Sequence, residues 1–258
     1  MTDPRKTPAG RTLVLLDLTS LNERDDLQST VELCRRALTP YGEVAAVCVW
    51  PKLVHVARRT LNTLGGRGVK VASVCNFPAG NASLADVVEE VRKTLAEGAD
   101  EIDLVYPWRK LKAGEATGAV ELIRTCKTLC GPYHRLKVIL ETGELADPDL
   151  IRAACREAIA GGADFLKTST GKATVNATPD AVRVMLECIE ETGGKIGLKV
   201  SGGLRTLADA QVYRALVEER FGTDWATPEH LRFGASSLLD DLLRELGAGA
   251  KPTSTRSY

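Results

Sequence analysis

The sequence predicts a single-domain (β/α)8 barrel, the TIM-barrel class of α/β fold, over residues 1–246, followed by a flexible C-terminal tail at 247–258. Eight short apolar runs alternate with eight segments of helical periodicity. Runs that are apolar throughout are typical of strands buried on both faces of a parallel sheet. Short connections, with eight such units in about 240 residues, favour closure into a barrel. An open doubly wound sheet is the alternative, but no GxGxxG fingerprint follows the first run to support it.

Each predicted strand runs into a polar residue, a proline or a glycine, which marks the turn into the next helix. The predicted strands are 11–19, 44–50, 69–75, 102–106, 136–140, 165–166, 196–200 and 231–233. The predicted helices are 26–38, 52–64, 83–97, 116–129, 148–160, 179–191, 206–219 and 236–246. Thr178-Pro179 is typical of a helix start, with a capping hydroxyl before a proline at the first helical position. The tail has no periodicity and is rich in small and polar residues, so we expect it to be mobile.

The composition favours a small-molecule partner. Lys plus Arg and Asp plus Glu number 34 each, so the formal net charge is zero. We therefore expect neither nucleic acid nor a membrane surface as partner. Seven scattered cysteines, without a signal peptide or an apolar run of about 18 residues, indicate a reducing cytoplasm. The close pair Cys126 and Cys130 has no companion histidine, so we expect no metal site.

The stretch 163–172 (ADFLKTSTGK) carries the strongest chemical signal. Its apolar start delivers Lys167 to the end of a strand. A lysine in a β run needs a reason, because desolvating an ammonium group is unfavourable unless its charge is paired or its proton is lost. The hydroxyls and glycine that follow, together with Lys172, suit an anion such as phosphate. The alternative is an ordinary turn with two surface lysines.

The carboxyl ends of the strands carry the catalytic residues in barrels of this kind. The residues at these ends are Asp17, Cys48, Asn76, Asp103, Glu141, Lys167, Lys199 and the turn 234–237. The carboxylates could instead form buried salt bridges. Two ammonium groups about 5 Å apart, at an effective dielectric near 20, repel by roughly 3 kcal/mol, which lowers a lysine pKa by about two units. One amine then becomes a nucleophile near neutral pH, as imine formation with a carbonyl substrate requires.

Two glycine-rich turns predict where a phosphate would bind. The segment 201–205 (SGGLR) follows the seventh strand, and 234–237 (GASS) precedes the last helix. Barrels frequently bind phosphate between the loops after strands seven and eight, where glycine amides and a helix N-terminus come together.

The chain resembles the deoxyribose-phosphate aldolases over essentially its whole length. The motifs that carry this resemblance are DLT at 17–19, NFPAGN at 76–81, GADEIDLVYP at 98–107, LETGEL at 140–145, FLKTSTGK at 165–172, GLKVSGGLR at 197–205 and FGASS at 233–237. The resemblance implies a metal-independent (β/α)8 aldolase without cofactor. Such an enzyme forms a lysine Schiff base and interconverts 2-deoxyribose 5-phosphate with acetaldehyde and glyceraldehyde 3-phosphate. It further implies a cytoplasmic enzyme of deoxyribonucleotide catabolism that forms a homodimer or larger homo-oligomer.

The resemblance also implies roles for individual residues. Lys167 corresponds to the imine-forming lysine, Lys199 to the neighbour that depresses its pKa, and Asp103 to the acid/base partner. Asp17 corresponds to a carboxylate that assists proton relay or hydroxyl recognition. The residues that fall on the substrate and phosphate motifs are Thr19, Thr170, Gly171, Lys172, Gly202, Gly203, Arg205, Gly234, Ser236 and Ser237.

Three further residues give expectations of their own. Many members carry Lys-Pro where this chain has Lys199-Val200, and a proline there would stiffen the turn. Tyr258 is the last residue of the tail, and members of the resembled family also tend to end in tyrosine. We expect its phenol to enter the site and assist proton exchange at the enamine carbon. The alternative is a disordered end. Cys48 is expected to meet reactive aldehydes at the mouth, or else to be a small buried apolar side chain.

Two other functions stay open on the sequence. One is a different phosphosugar enzyme, either an isomerase or another Schiff-base aldolase. The other is a catalytically inert regulator that binds a phosphosugar on the same scaffold. Lys167, Lys199 and Asp103 together disfavour the regulator, because binding a phosphosugar does not need two adjacent amines.

Overall fold

The computed structural model describes residues 3–247, which form a closed barrel of eight parallel strands in the order β1-β10-β9-β8-β7-β6-β5-β4. The barrel strands are β1 (Leu16–Thr19), β4 (Ala46–Val49), β5 (Lys70–Cys75), β6 (Glu101–Val105), β7 (Arg135–Ile139), β8 (Phe165–Lys167), β9 (Gly197–Ser201) and β10 (Leu231–Ala235). The predicted fold class, a single-domain (β/α)8 barrel, is confirmed. The predicted tail, apart from Gly247, lies outside the described residues, and so does Tyr258.

Helices connect the strands and cover the outside of the barrel. They are α1 (Pro8–Leu13), α2 (Leu27–Arg36), α3 (Val54–Leu64), α4 (Leu84–Ala96), α5 (Trp108–Lys112), α6 (Ala119–Cys130), α7 (Thr142–Leu145), α8 (Pro148–Ala160), α9 (Pro179–Glu190), α10 (Leu207–Phe221) and α11 (Leu238–Glu245). A two-stranded hairpin, β2 (Leu38–Thr39) and β3 (Gly42–Glu43), precedes β4. Caps of the expected kind start several helices; the Thr178 hydroxyl, for example, accepts a hydrogen bond from Ala181 N at the start of α9.

The predicted first strand, 11–19, is wrong in its first half. Residues 8–13 form α1, and only 16–19 form β1. The Thr7 hydroxyl accepts a hydrogen bond from Gly10 N at 3.1 Å, and Pro8 occupies the first helical position. The periodicity of a short apolar run does not distinguish a helix from a strand. The capping residue Thr7 followed by Pro8 is the sequence signal that indicates a helix here. The short helices α5 and α7 lie in segments for which the sequence predicts no helix or strand, and the hairpin begins at Leu38, the last residue of the predicted helix 26–38.

The barrel interior divides into a charged sector and an apolar sector. On β6, for example, Glu101 and Asp103 face inward, whereas Ile102 and Leu104 belong to the main hydrophobic core. On β4 and β5 the buried residues Ala46, Cys48, Ala72 and Val74 form a separate small apolar cluster with Leu21. Charged side chains of the interior therefore come from the remaining strands.

Strand register places several buried charged residues at the same level of the barrel. Asp103 is paired with Lys137, and Lys167 with Lys199. A Cβ added at Gly234 would lie 2.9 Å from Ser201 Cβ and 3.1 Å from Lys199 Cε. Glycine at this position of β10 therefore makes room for the Lys199 side chain.

Candidate active site

Lys167 is bound by Asp103 inside the barrel. The Lys167 amine donates a hydrogen bond of 2.8 Å to Asp103 Oδ2, and the Lys199 amine donates one of 2.7 Å to the same oxygen. The two nitrogens are therefore at most about 5.5 Å apart, the sum of the two distances. All three side chains are buried, with Lys167 3% exposed and the other two 0%. The structure thus brings together the two lysines and the aspartate that the sequence singled out.

Asp17 distinguishes the two lysines. Lys199 also donates a hydrogen bond of 2.5 Å to Asp17 Oδ2, so it contacts two carboxylates. Among the residues that the structure describes, Lys167 has an ion pair with Asp103 alone. The ammonium form of Lys199 is consequently better compensated than that of Lys167.

Sequence reasoning missed three members of the same network. Lys137 Nζ lies 2.8 Å from Asp103 Oδ1 and 2.5 Å from Glu101 Oε2. Arg232 donates hydrogen bonds of 2.7 Å to Asp17 and 2.9 Å to Glu101. The signal for Lys137 was the one used for Lys167, because a lysine in the apolar run LKVIL also needs a charge partner.

The network shifts the pKa values of its lysines in different directions. Burial lowers the pKa of Lys167, and the nearby Lys199 charge lowers it further, against the opposite pull of Asp103. Burial also disfavours the charge of Lys199, but Asp103 and Asp17 outweigh it and raise its pKa. Asp103 and Glu101 likewise outweigh burial at Lys137 and raise its pKa. The arrangement therefore favours Lys167 as the amine that loses its proton.

The carboxylates remain ionised despite their burial. Burial alone would raise the pKa of Asp103, but Lys137, Lys167 and Lys199 hold it well below its usual range. The pKa of Asp17 is lowered in the same way, against burial, chiefly by Lys199 and Arg232. Asp103 is therefore an anion that can accept a proton from a group next to Lys167.

The net charge of the buried network also favours Lys167 as the neutral lysine. The side chains joined by these ion pairs include three carboxylates, Asp17, Glu101 and Asp103. The cations are Lys137, Lys199 and Arg232, with Lys167 as a fourth when it is protonated. The network is neutral only when one cation gives up its proton, and an uncompensated buried charge is unfavourable. The least compensated of the four is Lys167.

A cavity of about 360 Å³ lies at the carboxyl ends of β1, β8, β9 and β10. Every predicted substrate or phosphate residue lines it, namely Thr19, Thr170, Gly171, Lys172, Gly202, Gly203, Arg205, Gly234, Ser236 and Ser237. Of the seven members of the charged network, only Lys167 lines this cavity. The Lys167 amine and the glycine-rich turns therefore face one space.

The turns predicted to bind phosphate include backbone conformations that favour glycine. Gly202 has a φ of +84°, and a Cβ there would lie 2.4 Å from Asn176 Oδ1. Across the cavity, Lys172 Nζ donates a hydrogen bond of 2.8 Å to Leu21 O. The helix α11 begins directly after Ser237, so its N-terminal end adjoins the cavity. Backbone amides, a helix N-terminus and a lysine amine together favour an anion here.

Glu141 supports the turn after β8. It accepts hydrogen bonds from the Thr170 hydroxyl at 2.5 Å and from Thr170 N at 3.2 Å. Burial raises the pKa of Glu141, although these hydrogen bonds and the charge of Lys167 oppose that rise. Glu141 therefore holds Thr170 in place beside the cavity.

Val200, where the sequence resemblance suggested a proline, continues the strand β9 and is fully buried. The next residue, Ser201, is tied to the neighbouring loop after β8. Its N–H donates to the Thr168 hydroxyl at 3.0 Å, and its hydroxyl donates to Ser169 O at 2.6 Å. Hydrogen bonds thus restrain this turn where a proline ring would otherwise do so.

Two other strand-end residues do not line the cavity. Asn76 holds its own loop, since its side chain donates to Val105 O and accepts from Ala82 N. Cys48 is fully buried in the apolar cluster, and burial raises the pKa of its thiol. This position matches the buried apolar alternative for Cys48.

The described residues hold neither a long apolar helix able to cross a bilayer nor a metal-binding grouping of three or more His, Cys, Asp or Glu side chains.

Known proteins resemble this chain in sequence and in overall fold. The model of the DeoC/LacD family aldolases matches residues 11–244. A crystal structure of a protein from Toxoplasma gondii, assigned as a deoxyribose-phosphate aldolase, superposes with a TM-score of 0.86 at 26% identity, covering 95% of this chain and 96% of that one. One from Coccidioides immitis with the same assignment gives 0.76 at 30% identity, covering 89% and 85%. The tetrameric deoxyribose phosphate aldolase from Aeropyrum pernix gives 0.70 at 25% identity, covering 94% of each chain. The chain belongs to the DeoC/LacD family of aldolases.

Proposed function

We propose that this aldolase reversibly cleaves 2-deoxy-D-ribose 5-phosphate into acetaldehyde and D-glyceraldehyde 3-phosphate through an imine on Lys167. One observation carries the proposal. Lys167 is the only member of the buried charged network that lines the cavity, and of the four cations in that network it is the one whose pKa is lowered. A neutral amine at the end of a phosphate-binding cavity is suited to attack the aldehyde carbon of an open-chain phosphosugar.

The first steps form the imine. The Lys167 amine adds to the C1 carbonyl of the open-chain sugar, and loss of water from the adduct gives the protonated imine. Lys199, whose charge is held by Asp103 and Asp17, stays cationic during this step. It therefore disfavours protonation of the free Lys167 amine without competing for the carbonyl.

Cleavage then requires a base. Asp103, or a water bound to it, removes the proton of the C3 hydroxyl, and the bond between C2 and C3 breaks with its electrons passing into the imine as an enamine. Glyceraldehyde 3-phosphate leaves as the first product. Protonation of the enamine at C2 and hydrolysis of the new imine release acetaldehyde and return the Lys167 amine. Asp17 assists by keeping Lys199 in position to bind Asp103. We also assign to Tyr258 the protonation of the enamine carbon.

The phosphate group is assigned to the turns 171–172, 202–205 and 234–237. Glycine amides, Lys172, Arg205 and the start of α11 supply donors and positive charge for it. Thr19 and Thr170 lie nearer the sugar hydroxyls under this assignment. A substrate without the phosphate should therefore bind more weakly but still form the imine.

We place the enzyme in deoxyribonucleotide catabolism in the cytoplasm, as a homodimer or larger homo-oligomer. The tetramer of the related Aeropyrum pernix enzyme supports an oligomer. Light scattering on the purified chain tests this part, and a monomer at working concentration would contradict it.

Trapping the imine tests the proposed chemistry directly. Incubation with acetaldehyde and borohydride should leave an ethyl group on Lys167, detected by mass spectrometry of a digest. Lys167→Met should abolish the adduct, whereas the matched variant Lys172→Met, which removes the other cavity amine, should keep it. An adduct on Lys199 in the wild type would show that the two lysines are assigned the wrong way round. Release of glyceraldehyde 3-phosphate from the deoxysugar phosphate, measured with a coupled dehydrogenase, tests the substrate.

A further inference from the structure

Glu101 and Arg232 form a buried ion pair that the proposed chemistry does not use. Arg232 Nη2 lies 2.9 Å from Glu101 Oε1, and Nη1 lies 3.2 Å from Oε2, so the pair is bidentate. Glu101 is 2% exposed and Arg232 5%. Neither residue lines the cavity, and the pair reaches Lys167 only through other side chains of the described network.

Two chains of contacts link this pair to Lys167. Arg232 donates to Asp17 at 2.7 Å, and Asp17 binds Lys199, which in turn binds Asp103. Along the other chain, Glu101 binds Lys137, and Lys137 donates to Asp103 at 2.8 Å. Both chains thus end at Asp103, the one carboxylate that pairs with Lys167 in the described residues.

We propose that Glu101 and Arg232 are positioning residues that fix the charge of the buried network and thereby keep Lys167 as the neutral amine. The inference rests on the proposed imine at Lys167. The physical reason is that the pair contributes one negative and one positive charge to a network that water cannot screen. Deleting either charge leaves the other uncompensated. The protonation equilibrium of Lys167 then shifts, because its proton is the most weakly held in the network.

The two single deletions should act in opposite directions. Glu101→Gln removes a negative charge and disfavours the ammonium form of Lys167, so its pKa falls. Arg232→Met removes a positive charge and favours the ammonium form, so the pKa rises. A unit charge on the order of 8 Å away, at an effective dielectric near 20, shifts a pKa by about 1.5 units. The double variant is neutral again and should return close to the wild type.

Other titratable groups around Lys167 stay the same in these variants. Asp103 on β6, Lys199 on β9, Cys48 on β4 and Glu141 after β7 influence its protonation directly. The pair itself is faced by Asp17 and Lys137. Since none of these six is replaced, a displaced pH profile reports the charge of the pair.

The experiment follows the exchange of acetaldehyde's methyl protons with deuterated water by NMR, as a function of pH. Acetaldehyde carries no ionisable group, so the phosphate of the sugar does not distort the profile. Exchange should rise with pH as Lys167 loses its proton. The midpoint should move by about 1.5 units to lower pH in Glu101→Gln, by about 1.5 units to higher pH in Arg232→Met, and return in the double variant.

Two controls separate charge from packing. Arg232→Lys keeps the charge and loses the bidentate geometry, so its midpoint should stay in place even if the variant unfolds at lower temperature. Arg156→Gln removes a unit charge from an exposed ion pair on α8 and should shift nothing. If Arg232→Met does not fold, the pH midpoint of Glu101→Gln can still be compared with that of the double variant. The midpoint of Glu101→Gln is expected at the lower pH.

Different results would refute the imine at Lys167 and the role of the Glu101–Arg232 pair. If borohydride trapping in the wild type gives no adduct on Lys167, the proposed function fails. If the adduct forms on Lys167 but both single variants move the midpoint in the same direction, or leave it in place, the role of the pair is refuted while the imine stands.

Discussion

Replacing Lys199 by methionine tests how the network sets the reactivity of Lys167. In the folded protein the two amines bind one carboxylate oxygen and are at most about 5.5 Å apart. At an effective dielectric near 20, unit charges at that separation repel by about 3 kcal/mol, or about two pKa units. Lys199→Met removes this repulsion and leaves Asp17 and Asp103 with one cation fewer. Both changes favour the ammonium form of Lys167, so its pKa rises.

The sign of the pH dependence follows from this rise. Lys167 attacks only as the neutral amine, so activity near pH 7 should fall by up to about 100-fold, the factor that two pKa units imply. Activity should recover as the pH rises through the new pKa of Lys167. The rate of borohydride trapping with acetaldehyde, measured from pH 6 to pH 10, gives the midpoint directly.

A second substitution distinguishes charge from contact. In Lys199→Met with Asp17→Asn, one cation and one anion are removed together, and the midpoint should return toward that of the wild type. A loss in Lys199→Met that is equal at every pH would refute the reasoning, because Lys199 would then take part directly in the bond-making or proton-transfer steps.

The other predictions concern single features of the site. Asp103→Asn keeps the shape but removes the anion, so cleavage should slow by about 100-fold or more; wild-type turnover would exclude Asp103 from the mechanism. Lys172→Ala should raise the KM for the phosphorylated sugar by roughly 10-fold and spare unphosphorylated deoxyribose; equal losses on both would place the phosphate elsewhere. Gly202→Ala should give the same selective rise in KM and lower the free energy of unfolding by about 1–3 kcal/mol, since its Cβ meets Asn176 in a left-handed conformation; unchanged binding would separate this turn from the phosphate. Removing Tyr258 should slow exchange of acetaldehyde's methyl protons while Lys167 is still trapped, and exchange at the full rate would make the tail a spectator.

The barrel and the position of its site could be predicted because both depend on chain order. Eight apolar runs with helical segments between them leave few ways to bury the strands. The carboxyl ends of parallel strands then meet at one face, which is why Asp17, Asp103, Lys167 and Lys199 could be grouped before any distance was known. The difference between the lysines could not be predicted this way. It depends on Asp17 contacting Lys199 and not Lys167, and strand spacing carries no such information.

The deeper part of the network was missed for a different reason. Glu101 lies at the first position of β6 and Arg232 at the second position of β10, where a barrel is expected to be filled by apolar side chains. A search limited to the carboxyl ends of the strands does not include these positions. Arg232 stands in the apolar run LRF and Lys137 in LKVIL, so a search for charged residues inside apolar runs would have found both.

The apolar sector of the barrel explains why the charges must balance among themselves. Ala46, Ala72 and Val74 on β4 and β5 offer neither a hydrogen bond to an anion nor a countercharge, and burial raises the pKa of the Cys48 thiol beside them, which favours its neutral form. A proton lost or gained in the network therefore cannot be compensated from that side, and the other strands must supply every partner. Under these conditions the charge state of Lys167 depends on the sum of its neighbours' charges and little on bulk ionic strength. The midpoint for imine formation should accordingly change little between low and high salt. A midpoint that moves by a full unit with added salt would show that water reaches the network and that the balance argued above does not hold.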